Sequence, residues 1–383
     1  MSLPEPPSER SVTVSPLSVL GIESSCDETA AAVVQETKEP ARPWIARSSV
    51  VASQIEIHRG WGGVVPELAS RQHLRDICGV TEQALGDAGI GWTGVDAVAV
   101  TQGPGLIGSL LVGVAFAKAA AAALDRPLVP VHHLAGHIES LVLEHGELPL
   151  PAVVLVVSGG HTSLFLVPAP GVYRLVGRTR DDAAGEAYDK VAKLLGLGYP
   201  GGPVVDRLAE GGNDRAIAFP VARMTHAARQ PPADVHLPPG FEQTLRYRAD
   251  FSFSGVKTAV ARHVASRRQA LGIGSDDTLP GNELSDVCAG FQRAVVEALL
   301  QPTFEAARWF AAESVGIAGG VSANRRLRRE AVAAGARAGL PVFVPSLALA
   351  TDNAAMIAAA GLRRFRAGVR GGTELDADAG LGL

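Results

Sequence analysis

The chain has 383 residues, of which 47% are hydrophobic and 19% are charged, and its mean hydropathy is +0.17. This composition excludes a disordered or fibrous protein, and the length predicts two or three globular domains. The formal net charge of −4 excludes a global basic field, so an RNA partner would need a local basic patch or the help of other proteins.

The N-terminal residues 1–16 are rich in Pro, Ser and Glu and lack the basic and apolar regions of a signal peptide. We expect them to form a disordered tail. The three cysteines, Cys26, Cys78 and Cys288, are far apart and form no CxxC pair. This usage fits a reducing compartment and predicts a cytoplasmic protein without disulfides.

Residues 17–150 are predicted to form an α/β lobe. Apolar runs at 19–23 and 30–34 flank a polar turn and predict a β-hairpin, and a run at 45–53 predicts a third strand beside it. Two later strands are each followed by a helical pattern, as expected for an α/β sheet. The longest apolar stretch, residues 106–117, is short for a membrane span and predicts a buried helix and no membrane association.

Three histidines, His132, His133 and His137, follow the last predicted strand of this lobe. If a helix begins near His132, the other two share one helix face, a spacing that holds Zn or Fe when a third ligand is supplied. The alternative is a partly solvated histidine cluster at a helix start. A zincin-type peptidase would need a glutamate after the first histidine as general base, and Leu134 stands there.

The pattern restarts near residue 150 and predicts a second α/β lobe over residues 151–367. Like the first lobe, it opens on a strand, a turn and a second strand, which indicates two related lobes that face a cleft. We expect the last helix to pack back on the first lobe. Prolines within residues 223–248 predict a surface insertion, and the Gly- and Asp-rich residues 368–383 predict a second disordered tail.

Several segments of the second lobe could bind an anion. The turns Gly159-Gly160 and Gly319-Gly320 follow strands and favour a nucleotide between them, although ordinary turns need the same glycines. The segment FSFSGVKTAV at 251–260 would either bind phosphate at a helix N-terminus or cap that helix. Asp352, at another helix start, is either part of a helix cap or a third metal ligand.

Nine segments in this order resemble one family closely, the universal tRNA threonylcarbamoyladenosine transferases, formerly called O-sialoglycoprotein endopeptidases. The matching segments are GIESSCDET, GGVVPELASRQH, TQGPGLIGSLLVG, HHLAGH, VSGGHT, AGEAYDKVAKLLGLGYPGGP, FSFSGVKT, GGVSANRRLR and TDNAAM. The family belongs to the actin, sugar-kinase and heat-shock-chaperone ATPase superfamily. The resemblance therefore implies an α/β fold in which two ribonuclease-H-like lobes flank a nucleotide cleft.

The resemblance also implies roles for individual residues. His133, His137 and Asp352 would bind one divalent metal ion, usually described as iron, Fe(2+), with zinc as the alternative. The turn that contains Asp27 and Glu28 would face the cleft from the opposite lobe, and we hypothesise that one of these carboxyls helps to move a proton. The residues expected to contact the substrate are Val156, Val157, Ser158, Gly159, Gly160, Asp189, Gly202, Asp206 and Asn324.

The implied reaction transfers a threonylcarbamoyl group from threonylcarbamoyl-AMP to N6 of the adenosine at position 37, beside the anticodon, of tRNAs that read codons beginning with A. A Lewis acid and an anion-binding turn suit this chemistry, because a weak amine must attack a carbonyl while AMP leaves. The implied partners are tRNA, a paralogous subunit without the metal residues, and a small P-loop ATPase.

Two other functions remain open because a fold does not fix a function. The first is a sugar kinase or ATPase of the same superfamily, which would have no use for two histidines and an aspartate as metal ligands. The second is a non-catalytic scaffold like the paralogous subunit, although all three ligands implied by the resemblance are present.

Overall fold

The computed structural model describes residues 16–222, 249–275 and 277–383. The predicted surface insertion at 223–248 lies outside these residues, as does the predicted N-terminal tail apart from its last residue. The described residues form two α/β lobes, each built on a five-stranded sheet.

The first sheet has the strand order β3-β2-β1-β4-β5. Its strands are β1 (Ser18–Glu23), β2 (Glu28–Glu36), β3 (Trp44–Ser53), β4 (Ala97–Gly103) and β5 (Leu128–His132). The accompanying helices are α1 (Ile55–Arg59), α2 (Pro66–Asp87), α3 (Ile107–Leu124) and α4 (His133–His145). β1 pairs antiparallel with β2 and parallel with β4, and β2 pairs antiparallel with β3. The predicted hairpin and its third strand are confirmed.

The second sheet has the strand order β10-β9-β6-β7-β8. Its strands are β6 (Ala152–Val157), β7 (Thr162–Ala169), β8 (Val172–Arg178), β9 (Ser314–Ala318) and β10 (Val342–Phe343). The helices are α5 (Ala184–Leu194), α6 (Gly201–Ala209), α7 (Ser254–Leu271), α8 (Gly281–Trp309), α9 (Arg325–Ala338), α10 (Leu347–Ala350) and α11 (Ala354–Arg366). From its opposite edge this sheet repeats the order and pairings of the first sheet. The predicted fold of two related α/β lobes is confirmed.

The two lobes share one hydrophobic core around helices α4 and α11. Side chains of both sheets, such as Val131 and Val154, pack in the same buried cluster as Leu134 of α4 and Met356 of α11. The central strands β1 and β6 are buried along their whole length, which explains why apolar residues follow one another in both strands rather than alternating with polar ones, apart from Ser18 and Glu23 at the two ends of β1.

Helix α11 packs directly on the first sheet through small residues. A Cβ atom at Gly21 of β1 would lie only 2.3 Å from the carbonyl oxygen of Ala354. A Cβ atom at Gly361 would lie 2.3 Å from the Cβ of Ala99 in β4. Glycine is therefore required on both elements for this approach, because neither backbone could yield without moving the helix.

Helix α3 contains the apolar stretch that the sequence predicts to be a buried helix. It is long and apolar enough to cross a membrane by these two criteria, which core helices of soluble proteins also meet. Only one face of α3 is buried, including Leu110 and Val114, and the opposite face exposes Ile107 and Leu111. The prediction of a buried helix is correct for that one face.

The prediction of a disordered tail at residues 368–383 is wrong. The Gly371 amide donates a hydrogen bond to the carbonyl of Leu128 at 2.8 Å, and the Asp378 amide donates to Gln102 at 2.9 Å. Lys118 of α3 donates to the carbonyl of Leu375 at 2.9 Å. The segment is held mainly through its backbone, so its Gly- and Asp-rich composition gave no sign of these contacts.

Candidate metal centre and active-site cleft

His133 and His137 begin helix α4 directly after β5, and Asp352 lies two residues before α11. The Nε2 atoms of the two histidines lie 3.5 Å and 3.1 Å from the same oxygen, Asp352 Oδ1. One nitrogen from each histidine and one carboxylate oxygen all lie within 4.8 Å of one another. The structure thus brings Asp352 to two histidines that lie more than two hundred positions earlier in the sequence.

The geometry of this group fits a bound metal ion. Ligand atoms about 2.1 Å from a tetrahedral or octahedral ion are separated from each other by roughly 3.0–3.4 Å, close to the two distances above. His137 is fully buried and its Nδ1 makes no hydrogen bond with the described residues, while its Nε2 lies 3.1 Å from Asp352 Oδ1 but is not oriented for a hydrogen bond to it. Such unsatisfied buried nitrogens are costly unless another partner is present, and a cation is the partner that this donor set fits.

Negative charge surrounds His133. Burial opposes the charged imidazolium, but the carboxylates of Asp352 and Glu23 outweigh burial and raise the pKa of His133 to about 9. Burial also opposes the ionised form of Asp352, yet His133 and His137 hold the pKa of this carboxyl below its usual range. The site therefore stabilises positive charge, as a metal centre requires.

A cleft of about 770 Å³ opens beside the metal ligands, and both predicted carboxyls of the first lobe line it. Asp27 and Glu28 occupy the turn and the first residue of β2. Burial, followed by the negative charges of Asp352 and Asp27, raises the pKa of Glu28 well above its ordinary value. A neutral carboxyl at this position could donate a proton.

The wall of the cleft opposite Asp27 and Glu28 includes the glycine turn after β6, formed by Ser158, Gly159 and Gly160. Asp189 lines the cleft as well. A Cβ atom at Gly159 or Gly160 would meet nothing within 4 Å, so both glycines border open space that a ligand could fill. Val156 and Val157 are fully buried within β6, which leaves only their backbone available to a ligand.

Asp189 lies on α5, and its side chain reaches the start of α6, where Gly202 lies. Asp189 Oδ1 accepts a hydrogen bond from the Gly201 amide at 2.7 Å, so this side chain caps the helix as well as lining the cleft. Burial raises the pKa of Asp189 against the opposing effect of the Gly201 and Gly202 amides.

Asp206 and Asn324 lie at a second, smaller cavity of about 390 Å³. Asp206 lines it and accepts a hydrogen bond from Arg325 Nε at 2.9 Å. Asn324 is buried, caps α9 and donates to Gln292, another residue that lines this cavity. Of the predicted substrate residues, Ser158, Gly159, Gly160 and Asp189 therefore line the main cleft, Asp206 lines the second cavity, and Asn324 lies beside that cavity through its contact with Gln292.

The segment FSFSGVKTAV forms the start of α7, where the sequence allowed either phosphate binding or helix capping. Asp181 accepts hydrogen bonds from the amides of Phe253 and Ser254 and from the hydroxyls of Ser252 and Ser254. A carboxylate from outside the segment thus already satisfies this helix N-terminus. The helix is capped, but by Asp181 and not by the serines of the segment, which donate to that carboxylate.

Asp181→Ala is expected to lower the free energy of unfolding by about 1–2 kcal/mol, because the first amides of α7 lose their acceptor. Urea denaturation of the purified chain measures the change. Glu82→Ala, which removes an exposed carboxylate from α2, is the control and is expected to change stability by less than about 0.5 kcal/mol. Equal stabilities of the two variants would contradict the capping role.

Two residues near the metal centre were missed by the sequence reasoning. His161 lines the cleft beside His133, and burial, followed by the positive charges of His133 and His137, lowers the pKa of His161 to about 4. Glu23 is fully buried at the end of β1 and lies 3.1 Å from His133 Nδ1. The available signal for Glu23 was a carboxylate at the end of an otherwise apolar strand.

Comparison with known proteins gives concordant matches. The family profile described as "TsaD: tRNA N6-adenosine threonylcarbamoyltransferase" matches residues 46–359. Proteins of that name from Koribacter versatilis and Anaeromyxobacter dehalogenans (strain 2CP-C) are 48% and 50% identical to this chain, cover 95% and 94% of it, and are each matched over 98% of their own length. The solved structure of full-length HypF in its phosphate- and nucleotide-bound form has a TM-score of 0.52 at 13% identity and covers 91% of this chain and 55% of its own. The HypF likeness concerns the fold alone.

Proposed function

The chain belongs to the tRNA N6-adenosine threonylcarbamoyltransferase family, and from this premise we propose that it modifies tRNA by transferring a threonylcarbamoyl group to N6 of an adenosine. The acceptor is adenosine 37 of tRNAs that read codons beginning with A, and the donor is threonylcarbamoyl-AMP. The carrying observation is the identity of 48–50% over nearly the whole length of both this chain and its relatives.

We further propose that the transferase depends on a divalent metal, with Fe(2+) as the first candidate and zinc as the second. His133, His137 and Asp352 would hold this ion, and their spacing and the unsatisfied nitrogens of His137 support the assignment. When bound, the ion would supply Lewis acidity that polarises the carbamoyl carbonyl and orients the phosphate. The chain itself binds and orients the donor in the cleft beside these ligands.

The residues of the cleft suit the remaining steps. The glycine turn Ser158–Gly160 borders open space in the cleft, so a phosphate could lie close to its backbone. Its backbone N–H groups would bind the phosphate of the donor as AMP leaves. Asp189 would contact the same substrate from α5, Gly202 from the start of α6, and the backbone of Val156 and Val157 from β6. Asp206 and Asn324 would contact a part of the donor that reaches the second cavity.

Asp27 and Glu28 would manage the proton released from N6. They lie across the cleft from the glycine turn, and burial with the neighbouring negative charges raises the pKa of Glu28, which favours its protonated form more than in an ordinary carboxyl. In this proposal Glu28 donates a proton, and Asp27 accepts the one released from N6.

Asp27→Asn and Glu28→Gln are each expected to slow modification of tRNA by about 100-fold or more when threonylcarbamoyl-AMP is supplied ready-made, because each removes an acid–base group. The bound metal content should stay unchanged, since neither carboxyl is among the three ligands. The measurement is the initial rate of nucleoside formation. Full turnover by both variants would remove these residues from the mechanism.

The chain would work in the cytoplasm with tRNA, a metal-free paralogous subunit and a small P-loop ATPase. Affinity for tRNA comes largely from clustered cationic groups that release counterions from the phosphates. A chain with a net charge of −4 has few such groups to spare, which supports tRNA binding that is shared with the other subunits. The exposed apolar side chains Leu74, Ile107 and Leu111 on α2 and α3 support a protein partner. The free cysteines support a reducing compartment.

The test is reconstitution of the chain with candidate partner subunits, threonylcarbamoyl-AMP and unmodified tRNA, followed by digestion of the tRNA and chromatography of its nucleosides. We expect the threonylcarbamoylated adenosine to form with the wild-type chain. Its absence, under conditions in which a relative is active, would refute the function. Phosphorylation of a sugar in the same preparation would favour a kinase instead, and inactivity despite bound metal would favour a scaffold.

A further inference from the structure

We propose that Glu23 is a positioning residue of the metal centre, which fixes the tautomer and orientation of His133 so that Nε2 faces the ion. This inference rests on the proposed metal site. Glu23 belongs to neither the ligand set nor the cleft-lining carboxyls, since it is fully buried at the end of β1.

The contacts of Glu23 determine which atom of His133 carries the proton. Glu23 Oε2 lies 3.1 Å from His133 Nδ1 and accepts a hydrogen bond from the Thr101 hydroxyl at 2.7 Å. Glu23 Oε1 accepts from the Ser25 amide. The Ser25 hydroxyl also lies 3.2 Å from His133 Nδ1, but a hydroxyl can accept as well as donate. A carboxylate can only accept hydrogen bonds, so Glu23 is the contact that selects Nδ1 of a neutral His133 as the protonated nitrogen. Nε2 then presents its lone pair on the side where Asp352 lies, 3.5 Å away.

Carboxylates that hold a ligating histidine in this way strengthen metal binding by orienting the ring and raising its basicity. Here the arrangement is rigid. The Thr101 hydroxyl and the Ser25 amide hold the two carboxylate oxygens, and both residues are themselves buried. A side chain whose own rotamer is locked can fix the direction of the imidazole that it contacts.

Glu23→Gln tests this role with little change in size. The Ser25 amide is a fixed donor, so the glutamine oxygen takes the Oε1 position and its NH₂ group takes the Oε2 position, facing His133 Nδ1. A donor there favours the opposite tautomer, with the proton on Nε2, the nitrogen needed by the metal. We expect the affinity for metal to fall by about 10–100-fold.

Glu139→Gln is the matched control. Glu139 is also a buried carboxylate, lies on the same helix as the histidines, and accepts a hydrogen bond from Tyr173 at 2.7 Å while pairing with Arg363. Its replacement removes a buried charge without touching a ligand. It is expected to lower stability but to leave the metal affinity within about threefold of wild type.

The experiment measures Co²⁺ binding to the metal-free full-length chain by competition with a chelator, for wild type, Glu23→Gln, Glu139→Gln and Asp352→Ala. Long-range ¹H–¹⁵N NMR of the histidine rings, recorded above the pKa of about 9 so that the His133 imidazole is neutral, reads the tautomer of His133 in the metal-free protein. The proposal is supported if Glu23→Gln loses metal affinity and switches the tautomer of His133, while Glu139→Gln does neither. Unchanged affinity or tautomer in Glu23→Gln, with tight binding by wild type and weak binding by Asp352→Ala, would overturn the role of Glu23 and leave the metal site intact. Binding by Asp352→Ala that equals wild type would overturn both the metal site and this inference.

Discussion

Asp352→Ala is expected to lower the affinity for divalent metal by at least about 1,000-fold and to reduce the rate of tRNA modification by a similar factor. The side chain supplies the one oxygen that faces both histidines, at 3.1 Å from His137 and 3.5 Å from His133. Removing a direct ligand should lower the metal affinity by more than the roughly 10–100-fold that is typical when a hydrogen-bond partner of a ligand is removed. A 1,000-fold rate loss corresponds to about 4 kcal/mol, within what a Lewis acid contributes to a transition state.

Metal content by elemental analysis and nucleoside formation by chromatography give two separate measurements of this variant. Glu82→Ala on α2 removes an exposed carboxylate outside the cleft and should retain both the metal and the activity. A variant at Asp352 that keeps its metal and its full rate would show that the three residues do not form the catalytic metal site. Loss of metal with full activity would remove the metal from the reaction.

Gly21→Ala is expected to destabilise the protein by at least about 3 kcal/mol, although it adds a single methyl group. The new Cβ would lie 2.3 Å from the carbonyl oxygen of Ala354 and 2.7 Å from the amide nitrogen of Ala358. Both contacts are with the backbone of α11, so relief requires the helix to move away from β1. Overpacking of a core typically costs 1–3 kcal/mol, and a contact with two backbone atoms belongs at the top of this range or above it.

The matched control is Gly79→Ala, because Gly79 lies on the exposed face of α2 and a Cβ there would meet nothing within 4 Å. Alanine at a helical glycine should be stabilising by up to about 1 kcal/mol. Urea denaturation of both variants with the metal removed measures the difference. Stabilities that agree within 0.5 kcal/mol would show that α11 adapts to the added methyl group.

The sequence predicted most of the first sheet because its signals are local. The polar turn between two apolar runs predicted the β1–β2 hairpin, and the step from strand to histidine cluster predicted α4 with His133 and His137 on one face. The long-range assembly was less accessible. Spacing alone left Asp352 as either a helix cap or a ligand, and only the family resemblance joined it to the histidines.

The residues that sequence reasoning missed depend on tertiary contacts. Nothing in the pattern of β1 shows that Glu23 faces His133, since the two are 110 positions apart and meet only through the pairing of β1, β4 and β5. The dependence on tertiary contacts also explains why the order of the C-terminal segment, residues 368–383, was not predicted. Its backbone hydrogen bonds to Leu128 and Gln102 use groups that every residue carries, so composition could not reveal them.

The shared core of the two lobes has a consequence for motion. The metal ligands all belong to α4 and to the residues leading into α11, and these two helices pack in the core common to both sheets. The carboxyls of Asp27 and Glu28 and the glycine turn after β6 instead project from opposite sheets. If one lobe rotated against the other about this shared core, the distance between those two walls would change while the ligands keep their mutual spacing. The protein could thus open to exchange its organic substrates without releasing its ion.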